Sequence, residues 1–101
     1  MVEGYALDIA KKFALALCGD YSVQAVYLFG SFAKGSSSAN SDIDVAIILN
    51  QKQLSFNSEM ELVKLRSKFD LRIEPHTFLK KDFNENNPLA HEILKYGIRL
   101  V

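Results

Sequence analysis

Residues 23–49 read VQAVYLFGSFAKGSSSANSDIDVAIIL, and this stretch determines the fold class. An apolar, β-rich run over residues 23–29 stops at Gly30-Ser31, which predicts a buried strand entering a tight turn. The small polar residues 35–41 have no periodicity and are typical of an exposed loop. Residues 42–49 open with alternating carboxylates and become wholly apolar, which predicts a second buried strand whose mouth carries Asp42 and Asp44.

The flanking segments add helices and a third strand. Helical spacing of apolar side chains predicts an amphipathic helix over residues 3–17 and another over residues 58–69. Residues 70–78 alternate as a third strand. Pro88 in its first turn and Gly97 after its end indicate a last helix over residues 88–96, and residues 98–101 are expected to dock as an extended piece. The predicted class is α/β (α+β), a small mixed β-sheet with helices packed on it.

Composition limits the number of domains and the classes of function. The chain has 101 residues, 49% of them hydrophobic, so we expect one domain over residues 1–101. The 12 Lys and Arg residues balance the 12 Asp and Glu residues, which disfavours bulk nucleic-acid binding. A single cysteine cannot form an intramolecular disulfide. No apolar run is long enough to span a bilayer and no signal sequence is present, so we expect a cytoplasmic protein without membrane contact.

Asp42 and Asp44 are the first candidates for chemistry. Residues two apart on a strand project from the same face, so both carboxyl groups lie within reach of one cation. Adjacent carboxylates repel each other, and a divalent metal stabilises the charged pair. In an isolated Asp-x-Asp, the first aspartate more often caps a turn and the second is merely solvated at the end of a strand. The Gly30-Ser31 turn makes the pattern rarer, because a glycine there lets backbone amides and a hydroxyl approach phosphate oxygens.

A third carboxylate is expected on a neighbouring strand, because two-metal phosphoryl transfer needs a further ligand on the metal that activates the attacking hydroxyl. Asp70, at the start of the third predicted strand, fits this role. Glu74 lies on the same predicted strand face, about 13 Å further along, and is the second choice. The two acids cannot both serve one metal. Of the two histidines, His91 is expected on a helix surface and His76 is expected to be structural, at a strand end from which it could approach the site.

The motif GSFAKG at residues 30–35, followed by SDID at residues 41–44, resembles the signature of the DNA polymerase β nucleotidyltransferase superfamily. The stretch DLRIEP at residues 70–75 resembles the strand that carries that family's third acid. The short chain is similar to the minimal nucleotidyltransferases, many of which are antitoxins encoded beside a HEPN-domain toxin. Some of these antitoxins adenylylate a tyrosine of the toxin. The resemblance covers nearly the whole chain.

The resemblance implies a role for each motif residue. It implies that the catalytic acids and ligands of two Mg²⁺ ions are Asp42, Asp44 and Asp70. It implies that the residues contacting ATP or another nucleoside triphosphate are Gly30, Ser31, Lys34 and Ser41. The family usually has arginine where this chain has Lys34, and lysine offers a flexible point charge in place of a planar fork.

The implied function is Mg²⁺-dependent transfer of a nucleoside monophosphate, expected to be AMP from ATP, to a hydroxyl group of a partner protein such as a HEPN-type toxin. Two alternatives stay open. A non-catalytic antitoxin or interaction module would keep the fold without turnover. A small-molecule nucleotidyltransferase would need an acceptor site, which a homodimer could build at its interface. The sequence leaves open the nucleotide, the acceptor, and whether the protein forms a homo- or hetero-oligomer.

Overall fold

The computed structural model describes residues 4–18, 23–36, 41–50 and 56–101. These residues form, in chain order, α1 (Gly4–Cys18), β1 (Val23–Phe29), α2 (Ser31–Lys34), β2 (Ile43–Leu49), α3 (Phe56–Arg66), β3 (Ile73–Leu79), a 3₁₀ turn (Lys80–Asp82), α4 (Pro88–Tyr96) and β4 (Ile98–Arg99). None of the helices in the described ranges has the length and apolar character needed to cross a membrane. Residue 3 of the first predicted helix and residues 37–40 of the predicted loop lie outside the described ranges.

The four strands form one mixed sheet in the order β3-β2-β1-β4. β1 is antiparallel to β2 and to β4, whereas β2 and β3 are parallel. The register sets Asp44 beside Phe29 on one side and beside Glu74 on the other. The predicted mixed sheet with packed helices is therefore confirmed.

β2 is apolar because both of its faces are covered. Val45 and Ile47 pack in a cluster with residues of α1 and α3, whereas Ala46 and Ile48 pack in a second cluster with Ile93 of α4. A strand buried on both faces is expected to be continuously apolar and not alternating. Asp42 and Asp44 therefore lie at the end of β2 where the packing on both faces stops.

β3 begins at Ile73, so the predicted start of this strand at residue 70 is wrong by three residues. The carboxylate of Asp70 accepts the backbone N–H of Arg72 at 2.8 Å, which closes a turn before the strand. Aspartate side chains commonly hydrogen-bond to the backbone two residues on and favour turns over strands. The helix predicted over residues 58–69 is present, but it spans Phe56–Arg66, and residues 67–69 form a turn after it.

The C-terminal segment follows its sequence signals closely. α4 spans Pro88–Tyr96 with Gly97 as its C-cap, as predicted. The last residues dock against β1, and Leu100 N–H donates to the Val26 carbonyl at 2.7 Å.

Pro75 lies within β3, which is an edge strand of the four-stranded sheet. Proline has no N–H to donate and is tolerated at a sheet edge.

The N-cap of α4 provides a test of local stability. The Asn87 side chain accepts hydrogen bonds from the N–H groups of Leu89 and Ala90 at 3.0 and 3.2 Å. We expect Asn87→Ala to lower the free energy of unfolding by about 1 kcal/mol, because it leaves these two amides without their cap. Urea unfolding would measure the loss. Asn86→Ala is the matched control at an exposed neighbour, and equal losses in both variants would contradict the capping role.

Candidate functional site

Three side chains with metal-ligating atoms meet where β2 and β3 run side by side. Asp44 pairs with Glu74 across the parallel strands, and His76 lies two residues further along β3. Because residues i and i+2 of a strand share a face, Glu74 and His76 project to the same side. The ligand atoms of Asp44, Glu74 and His76 all lie within 4.8 Å of one another. We refer to these three residues as the carboxylate–histidine cluster.

His76 is held by contacts on two sides. Its Nε2 lies 3.3 Å from Asp44 Oδ1 and 3.8 Å from Glu74 Oε1. Its ring packs edge-on against Phe29, with centroids 5.0 Å apart. The hydrogen bond with Asp44 raises the pKa of His76, against the opposing effect of burial. His76 thus belongs to the site, and its spacing of two from Glu74 on a strand is the sequence signal that indicates this.

The Gly30 backbone packs directly against Asp44. Gly30 has φ 75° and ψ −152°, a region of backbone conformation that is almost exclusive to glycine. A Cβ atom at this position would overlap with Asp44 Oδ2 and lie 3.2 Å from its Cγ. Ser31 then begins the short helix α2, whose first amides have no intrahelical acceptor. The Gly30-Ser31 turn and the carboxylate–histidine cluster therefore form one continuous surface.

Asp42 and Ser41 lie immediately before β2. Asp42 is exposed and Ser41 is partly buried. The segment is anchored at its end, where Ile43 N–H donates to the Arg72 carbonyl at 2.8 Å. Asp42 is not a member of the carboxylate–histidine cluster. The structure thus brings Asp44 into the cluster and leaves Asp42 beside it, at the mouth of the strand.

Asp70 does not join the cluster. Its carboxylate accepts Arg72 Nε at 3.2 Å and Arg72 Nη2 at 3.1 Å, in addition to the backbone bond. The hydrogen bonds from Arg72 lower the pKa of Asp70, and the same pair raises the pKa of Arg72. Because Ile73 is the first residue of β3 to pair, opposite Ile43, Asp70 precedes the paired strand. Glu74 is therefore the acidic residue of β3 in register with Asp44, whereas Asp70 lies outside the cluster, and the role of Asp70 as the third acid stays a prediction.

Lys34, at the end of α2, is paired within the protein. Its ammonium forms an ion pair with Glu92 of α4 and lies 5.3 Å from the centroid of the Tyr96 ring. The hydrogen bond with Glu92 raises the pKa of Lys34. Lys34 also lines a surface cavity of about 530 Å³ together with Ala33 and Tyr96. A phosphate that contacts Lys34 would therefore compete with Glu92 for its ammonium group.

A glycine turn against an aspartate, with acidic side chains on two adjacent strands, is an arrangement that can hold phosphate groups and a divalent cation. The chain belongs to the family described as "Polymerase beta, Nucleotidyltransferase", whose model matches residues 12–101. The resemblance of residues 30–44 to that family is therefore confirmed. A Methanocaldococcus jannaschii protein, named for a proposed protein adenylyltransferase activity, is 32% identical over 62 residues. The match covers 60% of this chain and 62% of that relative, which is less than two thirds of the relative's length.

Solved structures have the same fold. A toxin–antitoxin with AMP-PNP has a TM-score of 0.66 at 26% identity, covering 90% of this chain and 72% of that chain. A Sulfolobus solfataricus structure assigned as a nucleotidyltransferase has a TM-score of 0.65 at 22% identity, covering 93% of this chain and 78% of that chain. A tri-AMPylated Shewanella oneidensis HEPN toxin in complex with its MNT antitoxin matches with a TM-score of 0.63 at 22% identity, over 95% of this chain and 71% of that chain.

The contact between Gly30 and Asp44 predicts a strong effect of a single methyl group. We expect Gly30→Ala to cost roughly 1–3 kcal/mol of unfolding free energy, from its backbone conformation, and to displace the Asp44 carboxylate. Gly4→Ala is the control, because a Cβ there meets nothing within 4 Å. Urea unfolding and a crystal structure of the variant would measure both effects. An unmoved Asp44 with unchanged stability would contradict this reading of the turn.

The Asp70–Arg72 pair predicts a pH-dependent contribution to stability. Because the pKa of Asp70 is lowered on folding from 3.8, its contribution is present above that pH and is lost as the pH falls through the lower folded pKa. We expect Asp70→Asn to lower the free energy of unfolding by up to about 1 kcal/mol at neutral pH, since the pair is partly exposed. The difference from wild type should narrow in acid. Asp8→Asn on the exposed surface of α1 is the control, and a difference independent of pH would contradict the assignment.

Proposed function

We propose that this chain transfers AMP from ATP to a hydroxyl group of a partner protein. The observation that carries the proposal is the pairing of Asp44 with Glu74 on parallel strands, directly beside the Gly30 backbone. Carboxylates and a glycine turn at one point are the groups that a nucleoside triphosphate and its metal require. Family membership and the adenylyltransferase name of the Methanocaldococcus jannaschii relative support the same reaction.

The donor set fits Mg²⁺. Two carboxylates with ligand atoms within 4.8 Å of each other supply the hard oxygen ligands that this ion prefers. We propose that Asp42 and Asp44 hold the ion that accompanies the triphosphate, and that Asp44 and Glu74 hold a second ion beside the acceptor. When bound, the ions neutralise phosphate charge and make the acceptor hydroxyl a better nucleophile.

The remaining motif residues position the triphosphate. The absence of a side chain at Gly30 lets phosphate oxygens approach the backbone amides at the start of α2, and the Ser31 hydroxyl donates a further hydrogen bond. Lys34 exchanges Glu92 for a phosphate oxygen, and Ser41 contacts the nucleotide beside Asp42. The acceptor hydroxyl then gives up its proton to water as its oxygen forms a bond to the α-phosphorus, in line with the phosphorus–oxygen bond that breaks, and pyrophosphate leaves.

A HEPN-type toxin is the proposed acceptor. The structures with AMP-PNP and with a tri-AMPylated toxin are both toxin–antitoxin structures, and each contains a chain with the same fold as this one. AMP-PNP in the first of them supports ATP as the nucleotide, and an AMPylated toxin in the second supports a protein hydroxyl as the acceptor. The partner then completes the acceptor side of the site.

Calorimetric titration of ATP, with and without Mg²⁺, tests the proposed site. We expect Mg²⁺-dependent binding that weakens by about tenfold or more in Asp44→Asn, which removes a ligand of both ions, and by a smaller but measurable factor in Glu74→Gln, which removes a ligand of the second ion only. Asp70→Asn is the matched carboxylate control and should bind ATP as the wild type does. Loss of binding in Asp70→Asn with normal binding in Glu74→Gln would reverse the assignment of the third acid.

Transfer of label from [α-³²P]ATP tests the reaction. With a purified HEPN toxin as acceptor, we expect label on the toxin, and none when Asp44→Asn replaces the wild-type chain. Binding of ATP without transfer would indicate a non-catalytic interaction module. Label on small hydroxyl compounds without any protein partner would indicate a small-molecule transferase.

A further inference from the structure

The third member of the carboxylate–histidine cluster is an imidazole, and its role follows from its position. His76 Nε2 is directed at Asp44 Oδ1 at 3.3 Å and at Glu74 Oε1 at 3.8 Å. Its ring is packed against Phe29 on a strand that forms part of the sheet. The imidazole is therefore fixed by backbone pairing and ring packing, and not by a flexible loop.

These separations are compatible with ligands around one ion. With metal–ligand distances of about 2.1 Å, two ligands at right angles lie about 3.0 Å apart and two opposite ligands about 4.2 Å apart. Both separations from His76 Nε2 fall within that interval. Asp44 Oδ1, Glu74 Oε1 and His76 Nε2 are thus close enough to share one cation.

We propose that His76 is a direct nitrogen ligand of the ion held by Asp44 and Glu74, and that this position therefore binds Mn²⁺ more tightly than Mg²⁺. Imidazole nitrogen suits first-row transition ions, whereas Mg²⁺ prefers oxygen ligands and gives up its water reluctantly. The inference rests on the proposed function, in which Asp44 and Glu74 hold the ion beside the acceptor. It adds a residue and a metal preference to that site.

Electron spin-echo envelope modulation of bound Mn²⁺ tests the ligand directly, because a coordinated imidazole couples its nitrogen to the electron spin. Untagged protein would be labelled with ¹⁵N-histidine and measured with one equivalent of Mn²⁺, with and without AMP-PNP. We expect ¹⁵N coupling in the wild type and its loss in His76→Gln. The coupling should be retained in His91→Gln, which changes the other of the two histidines. The label separates protein imidazole from the nitrogens of the nucleotide.

Metal titrations supply the second measurement. We expect His76→Gln to weaken Mn²⁺ binding by about tenfold or more while changing Mg²⁺ binding much less. Bound Mn²⁺ without histidine coupling in the wild type would overturn the proposal even if the variant failed to fold. If the wild type shows no histidine coupling but binds ATP and transfers label normally with Mg²⁺, the proposed function still holds. Failure of Mg²⁺-dependent ATP binding in the wild type would overturn the proposed function instead.

Discussion

The parallel pairing of β2 with β3 is the constraint on which the site depends. In a parallel pair, residues opposite each other point to the same side of the sheet, so the register decides which side chains become neighbours. Ile43 opposite Ile73 places Glu74 beside Asp44, and His76 follows on the same face. A shift of one residue would turn Glu74 and His76 to the other face, and would expose Ile73, which is fully buried here. The register that fills the core is therefore also the register that assembles the cluster.

The sequence predicts most of the fold, because most of its elements are specified locally. The five apolar residues that predict the face of the first helix are all fully buried: Ala6, Ala10, Phe13, Ala14 and Leu17. The strand over residues 42–49 and the last helix also carry their own signals, in a continuous apolar run and in Pro88 and Gly97. The sequence pattern places the start of β3 too early, because the alternation of residues 70–73 is equally compatible with a turn closed by the Asp70 side chain.

The site is less completely predictable for a related reason. The Gly30-Ser31 turn and the Asp-x-Asp pair are local motifs that the sequence predicts, whereas the contact between Gly30 and Asp44 is seen only in the structure. The choice between Asp70 and Glu74 depends on pairing between residues about 30 positions apart, as Asp44 and Glu74 are, and no local pattern determines that register. The involvement of His76 depends on the same register. Likewise, the ion pair between Lys34 and Glu92 joins α2 to α4, elements whose contact the sequence does not specify.

The charged side chains of the site indicate which ligands it could bind. Asp44 and Glu74 are adjacent acids, and the His76 imidazole lies against both of them. The hydrogen bond with Asp44 raises the pKa of His76. Lys34, the basic side chain of the motif, is engaged instead with Glu92 and Tyr96. The mouth of β2 thus carries acidic side chains that a divalent cation would stabilise. In the proposed function, a triphosphate would supply a competing anion for Lys34 in place of Glu92. In the proposed function, the metal and the nucleotide would therefore occupy complementary parts of one site, with the carboxylates facing the cation and Lys34 facing the phosphates.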